Sequence, residues 1–154
     1  MPKLNVIPNS TLVLKNVFYE KHIEINPNQI EAMIMRFETR LKLNNICSNK
    51  PLISKVSDTQ INHNGQICVN YEMYVELDGH ENTVNFDVME KIEISNCISI
   101  LFEGDVQFLS LATSALDIYL YENNIDDIGI LYSKFYSNEQ GLIKIEYYKP
   151  VKKC

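Results

Sequence analysis

The sequence predicts an α+β fold: two β-α-β-β repeats forming one mainly antiparallel sheet, with two long helices packed on it. Asn44-Asn45-Ile46 returns as Asn123-Asn124-Ile125, a displacement of 79 residues (44 to 123). Each copy closes a stretch whose apolar residues recur at helical spacing. One strand-like run precedes each stretch and two follow it. Repetition of a whole supersecondary unit implies a pseudo-twofold arrangement in which neighbouring units complete each other's core. The expected organisation is a single domain over residues 1–154, with repeat 1 over about 8–79 and repeat 2 over about 80–151. A groove between the halves is its natural ligand site.

Thr11 to Ile25 is an extended candidate rich in strand formers, with Asn16 marking a bend or bulge. Asn26-Pro27 announces a helix, since Asn is a good N-cap and Pro suits the first helical position. Ile30, Met33, Ile34, Phe37 and Leu41 then form one apolar stripe, and Asn44-Asn45 is a left-handed stop. Pro51 to Val56 is a short strand. Asn64-Gly65 is a hairpin signal, and from Ile67 to Leu77 apolar and polar residues alternate as in a half-buried strand. Asp78-Gly79 closes it.

The second half opens near Thr83 with Val84, Phe86 and Val88 alternating. Ile92 to Phe102 is strand-like after a break near Asn96. Asp105 is the cap of the second helix, whose stripe Leu109, Ala112, Leu116, Leu120 matches Ile30, Met33, Phe37, Leu41 under the same displacement. Ile128 to Tyr136, a turn at Asn138 to Gly141, and Leu142 to Tyr148 complete the repeat.

Composition narrows the function classes. A length of 154 residues with 45% hydrophobic and 22% charged residues fits one globular domain. A net charge of −6 opposes binding to a phosphate backbone, so nucleic acid is not an expected partner. The only basic cluster, Lys149 to Lys153, reads as a solubilising tail. No apolar run is long enough to span a bilayer and no signal peptide opens the chain, so no membrane partner and a cytoplasmic location are expected. Cys47, Cys68, Cys97 and Cys154 are irregularly spaced, which favours reduced thiols over a disulfide framework or zinc site. His22, His63 and His80 show no ligand spacing, so neither a metal nor a cofactor is expected.

In the second half, Ser99-Ile100-Leu101-Phe102-Glu103-Gly104, the helix, Asn123-Asn124-Ile125, Gly129-Ile130-Leu131-Tyr132 and Tyr147-Tyr148-Lys149-Pro150-Val151 resemble the GyrI-like effector-binding domain. That family includes stand-alone small proteins and the sensor domains of multidrug-responsive transcription activators. The resemblance covers most of the chain as topology and the last third as motifs. It implies a tandem β-α-β-β fold and a small, often cationic and aromatic, ligand in an aromatic-lined groove. It also implies a buried glutamate after a tyrosine on the strand following the second helix. Here Tyr132 is followed by Ser133, so Glu72 or Glu103 would have to supply the charge. Some members hydrolyse small electrophiles, but no nucleophile with a base beside it stands out in this chain.

The candidate ligand-binding residues are Tyr71, Glu72, Phe102, Glu103, Tyr132 and Tyr136. Tyrosine combines apolar area with a hydroxyl that fixes orientation, as small-molecule sites require. The plain alternative is that these rings are core and the acids are solvated strand-edge charges. Two function classes follow. One is a non-enzymatic module binding a small aromatic or lipophilic molecule. The other is an adaptor or immunity-type interaction module with a filled groove, whose acidic surface steers a protein partner. Oligomeric state is not legible.

Overall fold

The computed structural model describes residues 4–46, 50–78 and 88–152. The elements are β1 (Ile7–Ile25), α1 (Ile30–Leu43), β2 (Leu52–Ile61), β3 (Ile67–Glu76), β4 (Val88–Asp105), α2 (Ser110–Glu122), β5 (Leu131–Glu139) and β6 (Leu142–Pro150). The chain is therefore α+β and runs through β-α-β-β twice. It divides into two compact units, Leu14–Ile92 and Met1–Val13 with Glu93–Cys154.

In the Leu14–Ile92 unit, β3 lies between β1 and β2 and pairs antiparallel with both. Period-two alternation sends Val69, Tyr71, Met73 and Val75 to one face, where they meet Met33, Phe37 and Leu41 of α1. Phe18 of β1 completes this core, its ring centre 5.1 Å from that of Phe37. In the other unit β6 lies between β4 and β5, again antiparallel to both. Ile143, Ile145 and Tyr147 of β6 join Ile98, Ile100 and Phe102 of β4 beneath Ala112, Leu116 and Leu120 of α2. Each helix thus buries the stripe that its three-and-four spacing defines.

The duplication reaches single hydrogen bonds. Asn26 Oδ1 accepts from the Asn28 N–H at 2.9 Å, and Asp105 Oδ1 accepts from the Gln107 N–H at 3.0 Å. Both caps open a single 3-10 turn, Pro27–Gln29 and Val106–Phe108, ahead of the α-helix. At the other end the Asn44 and Asn123 side-chain amides donate to the carbonyls of Arg40 and Tyr119. Asn45 (φ 59) and Asn124 (φ 54) are left-handed. The N–H groups of Ile46 and Ile125 then return to Leu41 and Leu120, both at 2.9 Å. Earlier in each unit Asn16 (φ 51) and Asn96 (φ 58) turn the strand locally. Their carbonyls accept from Leu77 and Val151 at 2.8 and 3.0 Å. Asparagine recurs because its short polar side chain tolerates positive φ better than other non-glycine residues.

Some boundaries differ from the expectation. β1 begins at Ile7 rather than Thr11, because Pro8 near a strand start forfeits little and Asn9 (φ 56) absorbs the irregularity. β5 begins at Leu131 rather than Ile128: the Gly129 N–H closes on Asp127 Oδ1 at 2.8 Å, leaving a single bridge between Asp127 and Val151. The last hairpin turns on two left-handed residues, Gln140 (φ 53) and Gly141 (φ 82). The expected alternation at Val84 and Phe86, the turn at Gly79, and Cys47, His80 and Cys154 lie outside the described residues.

Candidate functional site

Alternation that buries one face of a strand fixes what the other face carries. Opposite α2, β6 presents Leu142, Lys144, Glu146 and Tyr148, while Ile143, Ile145 and Tyr147 go to the core. Directly paired residues share a face, so Tyr132 lies beside Tyr148 and Lys134 beside Glu146. From β4, Leu101 lies beside Glu146 and Glu103 beside Lys144. The β5–β6 register shifts between Phe135 and Ser137, and Tyr136 sits at that irregularity.

Glu146 organises this face. Its Oε1 accepts from the Tyr136 and Tyr148 hydroxyls, each at 2.9 Å. Burial, then the Glu146 hydrogen bond and charge, push the Tyr136 hydroxyl up to about 12. The same causes in the same order raise Tyr148, with smaller contributions from Tyr136 and Cys97. Both hydroxyls therefore remain donors far above neutral pH. Lys134 and Lys144 place their ammonium groups 5.5 and 5.2 Å from the Tyr136 ring centre, within cation–π range. A cavity of about 820 Å³ beside the β5–β6 turn is lined by Glu103, Gly104, Ser137, Leu142 and Lys144, among others. Lys144 is common to the cavity and the tyrosine cluster.

The six residues singled out from the sequence separate. Tyr71 and Phe102 are core side chains beneath α1 and α2. Burial raises the Tyr71 hydroxyl, and a hydrogen bond with Ser54 works the other way. Glu72 points to the face opposite Tyr71 and is bridged by Lys21 at 3.5 Å and Lys55 at 3.2 Å. Glu103 pairs with Lys144 at 3.5 Å, its side chain 65% exposed. Tyr132 is buried opposite Tyr148, and Tyr136 is 38% exposed. Glu103, Tyr132 and Tyr136 thus share one face.

Lys134, Lys144, Glu146 and Tyr148 of this cluster were not singled out from the sequence. A signal for the last two existed. Glu72-Met73-Tyr74 and Glu146-Tyr147-Tyr148 are the same pattern 74 residues apart (72 to 146), at the same place in the two units. On this face the carboxylate comes from β6, two positions from Tyr148, and not from the position after Tyr132.

Other chemistry is sparse. Among the described residues no group of three or more His, Cys, Asp or Glu is placed to hold a metal ion. Cys68 and Cys97 are free and buried, and burial pushes the Cys97 thiol up to about 11. No described helix is long and apolar enough to cross a membrane.

The sequence matches no protein-family model and no curated protein. Solved structures do resemble it. The EcmrR C-terminal domain aligns over 100% of this chain and 99% of its own, with TM-score 0.64 and 12% identity. A hydrolase from Listeria innocua aligns over 97% of this chain and 92% of its own, with TM-score 0.55 and 8% identity. SAV2435, in a structure bound to tetraphenylphosphonium, aligns over 97% of this chain and 94% of its own, with TM-score 0.51 and 14% identity. At these identities the likeness concerns the fold, and it coincides with the repeated caps, stops and strand order: the chain has the GyrI-like fold, a tandem of β-α-β-β units.

Proposed function

We propose that the protein is a non-enzymatic ligand-binding module that takes a small aromatic or lipophilic molecule against the β4–β6–β5 face. The observation that carries this reading is Glu146 holding two tyrosyl hydroxyls on the face away from α2. A polar anchor that locks rings in place, with Leu101 and Tyr136 partly exposed nearby, offers a flat molecule both contact area and orientation. The bound tetraphenylphosphonium of SAV2435, a protein of the same fold, supports a small-molecule role. The test is a thermal-shift screen of aromatic acids, amines and neutral compounds on the wild-type chain and on Tyr148→Ala. A ligand that binds only the folded state raises the melting temperature. Absence of any shift with wild type, or equal shifts with both proteins, would count against this site.

A second reading, an interaction module for a protein partner, is favoured by α2. Its outer side exposes Tyr121 (85%) and Ile118 (56%), and Ile118 borders a cavity of about 330 Å³ with Leu4 and Val6. A double Ile118→Ser, Tyr121→Ser variant should lose any partner that copurifies from the host while keeping the ligand-induced shift. Retention of the partner would discard the second reading.

A further inference from the structure

The two units carry a carboxylate at the same place in their central strand, and they neutralise it differently. In β3, Glu72 sits between Lys21 of β1 and Lys55 of β2, paired with both. In β6, the neighbours of Glu146 in the same row are Leu101 and Lys134. Two tyrosines hold Glu146 at one oxygen. Lys134 instead lies over the Tyr136 ring, and among the described residues it forms no ion pair. A ring face attracts an ammonium group but presents no lone pair to its three N–H donors. Among the described residues this face therefore holds a cation whose hydrogen bonds are unspent, beside a carboxylate with one of its two oxygens engaged by tyrosines.

Resting on the reading that this face is the ligand site, we propose that its ligand is an aromatic or lipophilic carboxylate, anchored by the Lys134 ammonium group. The acid group would take Lys134 donors, and the apolar body would lie toward Leu101, which is 40% exposed. Carboxylate–ammonium hydrogen bonds are stronger than neutral ones. A lipophilic cation would be drawn to Glu146 but opposed at the ring beside it. The Tyr136 ring it would stack on already carries Lys134 and Lys144, and like charges at that range repel.

The experiment is calorimetric titration of the full chain with three compounds on one ring skeleton: a carboxylate, its primary amide and the corresponding amine. The carboxylate is expected to bind at least about tenfold more tightly than the amine, a difference of about 1.4 kcal/mol. Lys134→Met should weaken the carboxylate by about tenfold and leave the amide within about twofold. Lys134→Gln, which keeps a polar side chain, gives the same reading if the Met variant folds poorly. An amine that binds more tightly than the carboxylate overturns the proposal, as does carboxylate affinity indifferent to Lys134. In either case the ligand-site reading is judged separately, and survives if the binding that remains is lost in Tyr148→Ala. If none of the three binds, both fall together.

Discussion

The hydroxyls of Tyr136 and Tyr148 end on the same atom, Oε1 of Glu146, although they come from different strands. One oxygen thereby ties the irregular stretch of β5 to the regular ladder of β6. The link holds only while both hydroxyls keep their protons.

Alkaline pH should break it. Tyr136 has its hydroxyl raised from 10.0 to about 12, and Tyr148 is raised as well. A folded-state pKa above the unfolded value means the folded chain holds more protons between the two. The contribution is complete below about pH 10 and is lost as pH rises through about 12. Urea unfolding followed across this range should show a steeper fall in stability for wild type than for Tyr136→Phe, and tyrosinate absorbance should show late-titrating rings. Equal slopes would mean that the hydroxyls titrate as free phenols.

The left-handed asparagines set the helix ends. Asn45→Val and Asn124→Val should each cost about 1–2 kcal/mol, because a β-branched residue is strained at positive φ. Glycine at either position should be tolerated within a few tenths of a kcal/mol or be slightly stabilising, as glycine is the usual residue there. Denaturant midpoints check both directions, and a destabilising glycine would show that the side chain and not the backbone matters.

Phe37 is fully buried against Phe18, and Leu116 of α2 is buried in the cluster with β4 and β6. Phe37→Ala should lose about 3–5 kcal/mol and Leu116→Ala about 2–5 kcal/mol, from lost burial plus the cavity left behind. Thermal or urea unfolding measures each. Losses below about 1 kcal/mol would mean that the helix does not bury its stripe as described.

Cys97 is fully buried and its thiol is pushed up to about 11, so at neutral pH the reactive thiolate is scarce. Mass spectrometry after brief treatment with a thiol reagent should find Cys97 unmodified in the folded protein and modified in denaturant. Rapid labelling of the native chain would show that β4 opens there.

Much of the fold was legible because its signals are local. Helix stripes need only three-and-four spacing, and the caps at Asn26 and Asp105 need only the right residue before an apolar run. The site was less legible for two physical reasons. Alternation had already grouped Tyr71 with Val69 and Met73, yet that apolar face is where α1 packs, so Tyr71 goes to the core. The displacement of 79 residues that aligns Lys55 with Lys134 (55 to 134) no longer holds one strand later. The second hairpin is shorter, with β5 and β6 joined through Gln140 and Gly141 alone. Under that displacement Glu146 and Tyr148 fall on Ile67 and Val69 instead of on Glu72 and Tyr74. Pairing register is a long-range property, and no run of neighbours reports it.

The paired stops at Asn45 and Asn124 also make the molecule its own control. The same substitution can be placed twice in one polypeptide, at sites with the same dihedral class and the same backbone return to Leu41 or Leu120. Because the local chemistry cancels in the comparison, any gap between the two measurements reports how firmly each half holds its helix.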